Sequence, residues 1–378
     1  MDFEFNDDQV ALREAVQRWV ERGFSFERRH RLARAGGATR DVMRELAELG
    51  LTGLQVPPEH GGLGLGAVEA MLVMEALGRG LINAPYAAAA LLTPTLLAHA
   101  DVAPASTALV AEWLPRIADG SALVVPALQE PAARYRLDLC ATVATQSADG
   151  WTLTGRKSLV PAGDEADAFL VPARVGTQAD APIGLCLVER AHCSVRGYPT
   201  QDGARAAEVG FDGAAAHCVS TDASAAIAQA NDVGIAAACA EGVGAMDALL
   251  RLTVDYMNTR KQFGQTIASF QALRHRIADV KMQLELARSM SYFATLQLGE
   301  PAAQRQRALS QAKLQLGQSM RYVGQQCIQL HGGIGMTDEV AASHYFKRLT
   351  MLELAHGDSL HHLGRLSATL QDTAGVFA

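Results

Sequence analysis

Carboxylates and imidazoles crowd into one short stretch, MLELAHGDSLHH at residues 351–362, which holds Glu353, His356, Asp358, His361 and His362. Such groups transfer protons, bind metals or cap helices. His361 and His362 are adjacent, so on a helix they point about 100° apart and cannot pair as metal ligands; they read as surface or packing residues. Asp358 stands just before SLHH and reads as the cap of the helix that follows. A second stretch, NTRKQFGQTIASFQALRHRIADV (258–280), places Arg260 and Gln262 beside Phe263 in a Gly-containing turn. A guanidinium and an aromatic at one exposed spot suit a phosphate and a ring, and equally a solvated connection between helices. In QLHGGIGMTDE (329–339) the glycines permit close backbone approach or simply end a helix. Glu241, in GIAAACAEGVGAM, is a lone carboxylate among Ala, Cys, Gly and Val. Burial would raise its proton affinity toward that of a general base, but a buried Glu paired with an Arg has the same signature in sequence.

The elements that position these groups follow from hydrophobic period. Of 378 residues, 49% are apolar and 19% charged, enough to bury a large core and too many for one small one. Helical spacing runs through DDQVALREAVQRWVERG, with Asn6 or Asp7 as cap, RDVMRELAELG and GAVEAMLVMEALGRG. After Gly120 the pattern alternates: LDLCATVATQSADGWTLTGRKSLV has a hairpin signal at ADG, and strand-length segments follow. From about residue 222 the helical period returns in three long segments, with Pro301 near the start of the third and glycines at its end, and a fourth helix is expected over 359–370. The expectation is an α+β chain with a helical domain over 1–120, a β-barrel or sandwich over 121–220 and a four-helix bundle over 221–378.

Composition also excludes. The formal charge is −7 with scattered cations, which excludes a phosphate-tracking nucleic-acid surface. The acidic start MDFEFNDDQV is no targeting segment, the Ala-rich run 83–100 is broken by prolines rather than membrane-spanning, and the expected compartment is the cytoplasm. The 6 cysteines lie far apart without CxxC spacing, so neither a disulfide frame nor a metal site is expected. GGLGLG (61–66) and GVG (242–244) lack the strand-turn-helix order of a Rossmann site.

Taken together, the α, β, α order, LGLTGLQVPPEHGGLGLG, TRKQFGQTIASFQ and QLHGGIGMT resemble the acyl-CoA dehydrogenase family over essentially the whole chain. That resemblance implies FAD held between the β domain and the C-terminal helices, with a neighbouring subunit contributing through Arg260, Gln262 and Phe263 and through Gln329, Gly332 and Gly333. On the flavin-facing side it implies Gln129 (in QEPAARYR), Leu159, Val160 and Asp358 as further cofactor contacts, although Pro161 brings neither the hydroxyl nor the N–H found in the family. It implies α,β-dehydrogenation of an acyl-CoA thioester, with a carboxylate taking the α proton while the β hydrogen leaves as hydride, and an electron-transfer flavoprotein as acceptor. Aligned on Gly357, the family's base position holds His356; the alternative family position falls on Gly234. Both lack a carboxylate, so Glu241 is the expected base, with His356 as the alternative. Arg134 and Tyr135 replace small residues and are candidates for contact with the substrate, including the second carboxylate of a dicarboxylyl-CoA. The resemblance further implies a homo-oligomer or a heteromer with a second acyl-CoA dehydrogenase subunit; a non-catalytic flavin-binding or structural subunit is the competing reading.

Overall fold

The computed structural model describes residues 4–370 except 38, 149 and 179. In chain order the helices are α1 (Asp7–Gly23), α2 (Phe26–Arg34), α3 (Arg40–Glu48), α4 (Ala67–Arg79), α5 (Thr93–His99), α6 (Thr107–Ala118), α7 (Ser224–Thr259), α8 (Gln271–Leu296), α9 (Ala302–His331), α10 (Ala341–Leu354) and α11 (Ser359–Leu370). The strands are β1 (Val124–Pro126), β2 (Val143–Ser147), β3 (Gly150–Pro161), β4 (Ala168–Val175), β5 (Ile183–Glu189), β6 (Ser194–Pro199) and β7 (Arg205–Ser220), with a short hairpin of β8 (Lys261–Gln262) and β9 (Gln265–Thr266) after α7.

These elements form two compact units: a helical unit of residues up to 30, 67–82 and from 235 onward, and a sheet unit of 31–66 and 83–234. The first 120 residues contribute to both units. Their packing gives the reason. In the helical unit α4 lies backbone to backbone on α7: a Cβ at Gly78 would fall 2.0 Å from the Glu241 carbonyl oxygen, and one at Gly244 would fall 1.9 Å from that of Glu75. Only glycine permits that approach. In the sheet unit the Thr93 hydroxyl at the head of α5 donates to the Val124 carbonyl (3.0 Å), and Ser106, before α6, donates to that of Cys218 (2.7 Å).

In the sheet unit, β4, β2, β3, β7 and β5 pair in that order and β5 returns to β4, so the ring closes, with β1 beside β4 and β6 beside β7. Closure removes the free edges that an open antiparallel sheet would expose. The β2–β3 hairpin expected at ADG is present in the register Ser147 to Gly150, with Asp149 lying outside the described residues.

In the helical unit α8, α10 and α11 all pack on α9, around a core that includes Met246, Leu284, Leu316 and Met320. α10 is additional to the four helices expected. Asn6 closes a capping box with Gln9 at the head of α1, and Pro301 precedes α9, which ends where Gly332 takes φ 66°. By length and composition α7 would span a membrane, but it is the core helix here, with 89% of its most apolar window buried.

Candidate functional site

At one end of the helical unit, two motifs roughly 70 residues apart in sequence come together. α7 ends at Thr259, and the chain turns through β8 and β9 with Phe263 and Gly264 in the left-handed region (φ 52° and 78°). This turn leaves Phe263 91% exposed, beside exposed Arg260 and Gln262. Beneath it Met257, Ile267 and Leu330 form a small apolar cluster, and Tyr256 stacks on His331. Leu330 and His331 close α9, so Gln329, Gly332 and Gly333 are exposed at the same end as Arg260 and Phe263. A Cβ at either glycine would meet nothing within 4 Å, which leaves open space over a backbone whose amides can approach a ligand. One cation, one uncovered ring and a bare backbone share a surface.

A second set of expected residues lies in the sheet unit. The Ser158 amide donates to the Gln129 carbonyl (2.8 Å), bringing Gln129 beside Leu159. Leu159 occupies a β-bulge where the β3–β7 register shifts; it takes φ 53° and is 48% exposed, while Val160 is buried. An apolar side chain turned outward at a strained bulge is a presented surface. Anchoring it from below, buried Glu130 accepts from Lys157 Nζ (2.8 Å), Thr142 Oγ1 (2.7 Å) and the Ala141 and Thr142 amides. Burial opposes the charged carboxylate, but the Lys157 charge and these hydrogen bonds outweigh it and hold Glu130 down at about 2. Arg134 is exposed at φ 49° with its guanidinium over the Tyr135 ring, 5.1 Å from the centroid. Lys157 went unnoticed in sequence, although it is a lone cation facing inward on a strand.

Glu241 is not left as a free base. Its Oε1 accepts from Arg348 Nε at 2.5 Å and its Oε2 from Arg348 Nη2 at 2.8 Å, a two-point pair between α7 and α10 in which both side chains are largely buried. Both carboxylate oxygens are occupied by one planar guanidinium, the geometry of a structural ion pair. This is the arrangement of the structural reading, an Arg-paired buried Glu, that shared its sequence signature with a general base.

The loop holding His356 is fixed from every side. Lys313, 0% exposed on α9, donates to the carbonyls of Glu353 (2.7 Å) and Gly357 (2.8 Å). His362 donates through Nε2 to the His356 carbonyl (3.1 Å), and Glu353 Oε1 accepts from the Ser359 amide and hydroxyl. Asp358 Oδ1 accepts from the His361 amide (2.8 Å), so Asp358 caps α11. Gly317, one turn beyond Lys313, leaves room for Ser359, whose hydroxyl would lie 2.3 Å from a Cβ there. His356 itself takes the left-handed conformation (φ 57°), and burial followed by the Lys313 charge pushes its imidazole down to about 4. His362 is fully buried and pushed down to about 3 by the same two causes. Both rings are therefore neutral near pH 7, beside a buried ammonium. The signal for Lys313 was a Lys at an apolar position of the α9 stripe Leu309, Ala312, Leu316, Met320.

Sixteen residues of α9 separate Lys313 from Gln329, so the His356 loop and the Arg260–Gly333 surface lie about 24 Å apart along the helix. Among the described residues no cluster of His, Cys, Asp and Glu is arranged to hold a metal ion.

The chain thus has a closed β-ring unit and an α-helical unit, and the latter presents a guanidinium, an aromatic ring and a glycine-lined backbone at one end, groups whose chemistry suits an anion and a ring. Comparison with known proteins narrows this. Residues 6–121 match the acyl-CoA dehydrogenase N-terminal domain and residues 225–370 the acyl-CoA dehydrogenase C-terminal domain. The chain is 30% identical over 352 residues to acyl-CoA dehydrogenase FadE12 of Mycobacterium tuberculosis, covering 88% of each protein. It is 26% identical to the probable acyl-CoA dehydrogenase YngJ of Bacillus subtilis, over 95% of this chain and 97% of that protein. The ChsE4–ChsE5 complex from Mycobacterium tuberculosis shares the fold, with a TM-score of 0.87 at 24% identity over 99% of this chain and 100% of that one. The chain belongs to the acyl-CoA dehydrogenase family.

Proposed function

We propose that this chain carries out FAD-dependent α,β-dehydrogenation of an acyl-CoA thioester as one subunit of a heteromer, in which a second acyl-CoA dehydrogenase chain supplies the catalytic carboxylate. The observation that carries this reading is a mismatch within the helical unit: a surface suited to the cofactor is present, while neither expected base position offers an uncommitted carboxylate. Arg260 and uncovered Phe263, held on one turn with Gly332 and Gly333 beside them, fit a phosphate, a ring and a close backbone approach. Phe263, 91% exposed beside Arg260 and the open glycine backbone, is read as a ring that the cofactor covers. Against this, Glu241 is committed to Arg348, and His356 replaces the carboxylate at the position implied by the family. Protonation of His356 is opposed by burial and by Lys313, which makes it a weak receiver for an α proton.

The residues present fit FAD. Arg260 would pair with a phosphate, Phe263 would cover a ring, and Gln329, Gly332 and Gly333 would bring backbone and amide groups to the polar part. Within the sheet unit, Gln129, Leu159 and Val160 would border a ring system, where Pro161 offers no N–H. When bound, FAD supplies the hydride acceptor for the β hydrogen. The chain's own groups bind and orient; the partner's carboxylate holds the α proton. An electron-transfer flavoprotein is the natural acceptor of the electrons.

For the acyl group, exposed Arg134 with Tyr135 favours a substrate that ends in a carboxylate. Consistent with this, GYPTQDGARAAEV, CAEGVGAMDA and HYFKRLTMLEL look like the small subunit of pimeloyl-CoA dehydrogenase. The test is to purify the chain alone and co-expressed with the acyl-CoA dehydrogenase encoded beside it, then titrate each anaerobically with acyl-CoA. The assembled pair is expected to show flavin absorbance that bleaches, and the lone chain none. Bleaching by the lone chain would overturn the heteromer.

A further inference from the structure

We propose that His331 is a positioning residue for the cofactor-facing end of the helical unit: stacked on Tyr256, it locks the Arg260–Phe263 turn and the Gly332–Gly333 turn into one surface. The inference rests on the reading that this surface meets FAD. The rings lie 4.6 Å apart at an interplanar angle of 21°, joining the last turn of α7 to the last residue of α9. Each ring is tied to the turn it governs. The Tyr256 carbonyl accepts from the Arg260 amide (2.8 Å), and the Arg260 carbonyl accepts from the Ile267 amide (2.9 Å), so the start and finish of the hairpin hang from Tyr256.

On the other side His331 Nδ1 donates to the Cys327 carbonyl (2.9 Å), which fixes the ring one turn back along its own helix. Burial lowers its proton affinity, so the ring stays neutral and flat against tyrosine near pH 7. The chain after Gly333 folds back over His331: a Cβ at Gly335 would fall 2.9 Å from His331 Cβ. Tyr256 packs against a satellite cluster whose buried members, Met257, Ile267 and Leu330, are distinct from those of the main core of the unit. Loss of the stack therefore loosens this end and leaves the bundle folded.

An aromatic pair of this geometry contributes enough for His331→Ala to weaken FAD binding about tenfold at most. His331→Phe keeps a flat ring on Tyr256 and is expected to bind FAD within about threefold of wild type. The experiment titrates FAD into the deflavinated oligomer and follows flavin fluorescence, for His331→Ala, His331→Phe, Tyr256→Leu, and Arg260→Ala with Phe263→Ala as a reference for the surface itself. Weakening by His331→Ala and Tyr256→Leu, no further weakening when the two are combined, and recovery in His331→Phe support the inference. If Arg260→Ala and Phe263→Ala bind FAD as wild type does, the reading of the surface fails and this inference with it. If those two weaken binding while His331→Ala does not, or if His331→Phe is as weak as His331→Ala, the positioning role alone is overturned. Tyr256→Leu removes the stack from the other side should His331→Ala fail to fold.

Discussion

Replacing Glu241 by Gln separates a structural carboxylate from a catalytic one. The pair with Arg348 is two-pointed, at 2.5 and 2.8 Å, and its side chains are 5% and 16% exposed. Removing one partner of a buried pair costs about 3–5 kcal/mol, because the remaining charge stays buried without its counter-ion. Gln retains the shape and one acceptor oxygen, so the lower end, about 3 kcal/mol, is expected. For a cooperative body of about 150–250 residues this lowers the thermal midpoint by roughly 6–12 °C. Circular dichroism melts of Glu241→Gln measure it, and the double variant Glu241→Met with Arg348→Met, which buries no charge, is expected to recover most of the loss. The same Glu241→Gln protein, assembled with its partner and loaded with flavin below its midpoint, is expected to bleach with acyl-CoA within a few fold of the wild-type rate. An unchanged midpoint combined with a bleaching rate lowered by orders of magnitude would refute the reasoning and restore Glu241 as the base.

Three further outcomes test other parts of the structure. Glu130 is held at about 2 against an ordinary 4.5, so its contribution to stability is complete above pH 4.5 and is lost as pH falls toward 2; the stability difference between wild type and Lys157→Met, from urea unfolding, is expected to shrink over that window. Lys313 shifts the opposite way, pushed by burial from 10.5 down to about 8, so between these values the unfolded chain binds more protons and wild-type stability rises with pH. The advantage of wild type over Lys313→Met is therefore expected to grow between pH 7 and 10.5 by about 3 kcal/mol at most, and an equal difference at both ends contradicts the buried ammonium. Gly244→Ala drives a methyl into the Glu75 carbonyl and is expected to destabilise the helical unit by about 3 kcal/mol, read from the same urea curves.

The architecture was legible wherever one face of an element is apolar. The period of GAVEAMLVMEALGRG gave α4, Pro301 and the terminal glycines bounded α9, and ADG marked the β2–β3 hairpin. α10 was missed because AASHYFKRLTMLEL mixes His, Lys, Arg and Glu into its apolar stripe, and those residues are inside for reasons of pairing: His344 and Glu353 are buried, and Arg348 reaches Glu241. The assignment of α4 to the helical unit and α3 to the sheet unit was equally hidden. It depends on Gly78 and Gly244 meeting backbone across α4 and α7, and a glycine in a helix carries no mark of what will approach it.

The site divides along the same line between local and distant causes. The exposure of Arg260, Phe263, Gly332 and Gly333 was readable because their conformation is made by neighbours in sequence: a tight turn at Phe263–Gly264 and a helix end at Gly332. Asp358 was readable as a cap for the same reason. The partner of Glu241 was not, since Arg348 lies 107 residues away, and a carboxylate in an apolar helix looks the same whether a guanidinium or a substrate waits opposite. Lys313 makes the point from the other direction. A lysine among leucines looks like an error of pattern until the carbonyls of Glu353 and Gly357 are found on its ammonium, and those acceptors are main-chain atoms that any residue would supply. Side-chain types reveal a site only when the partner is also a side chain of distinctive type; where the partner is backbone or lies far along the chain, the fold must be known first.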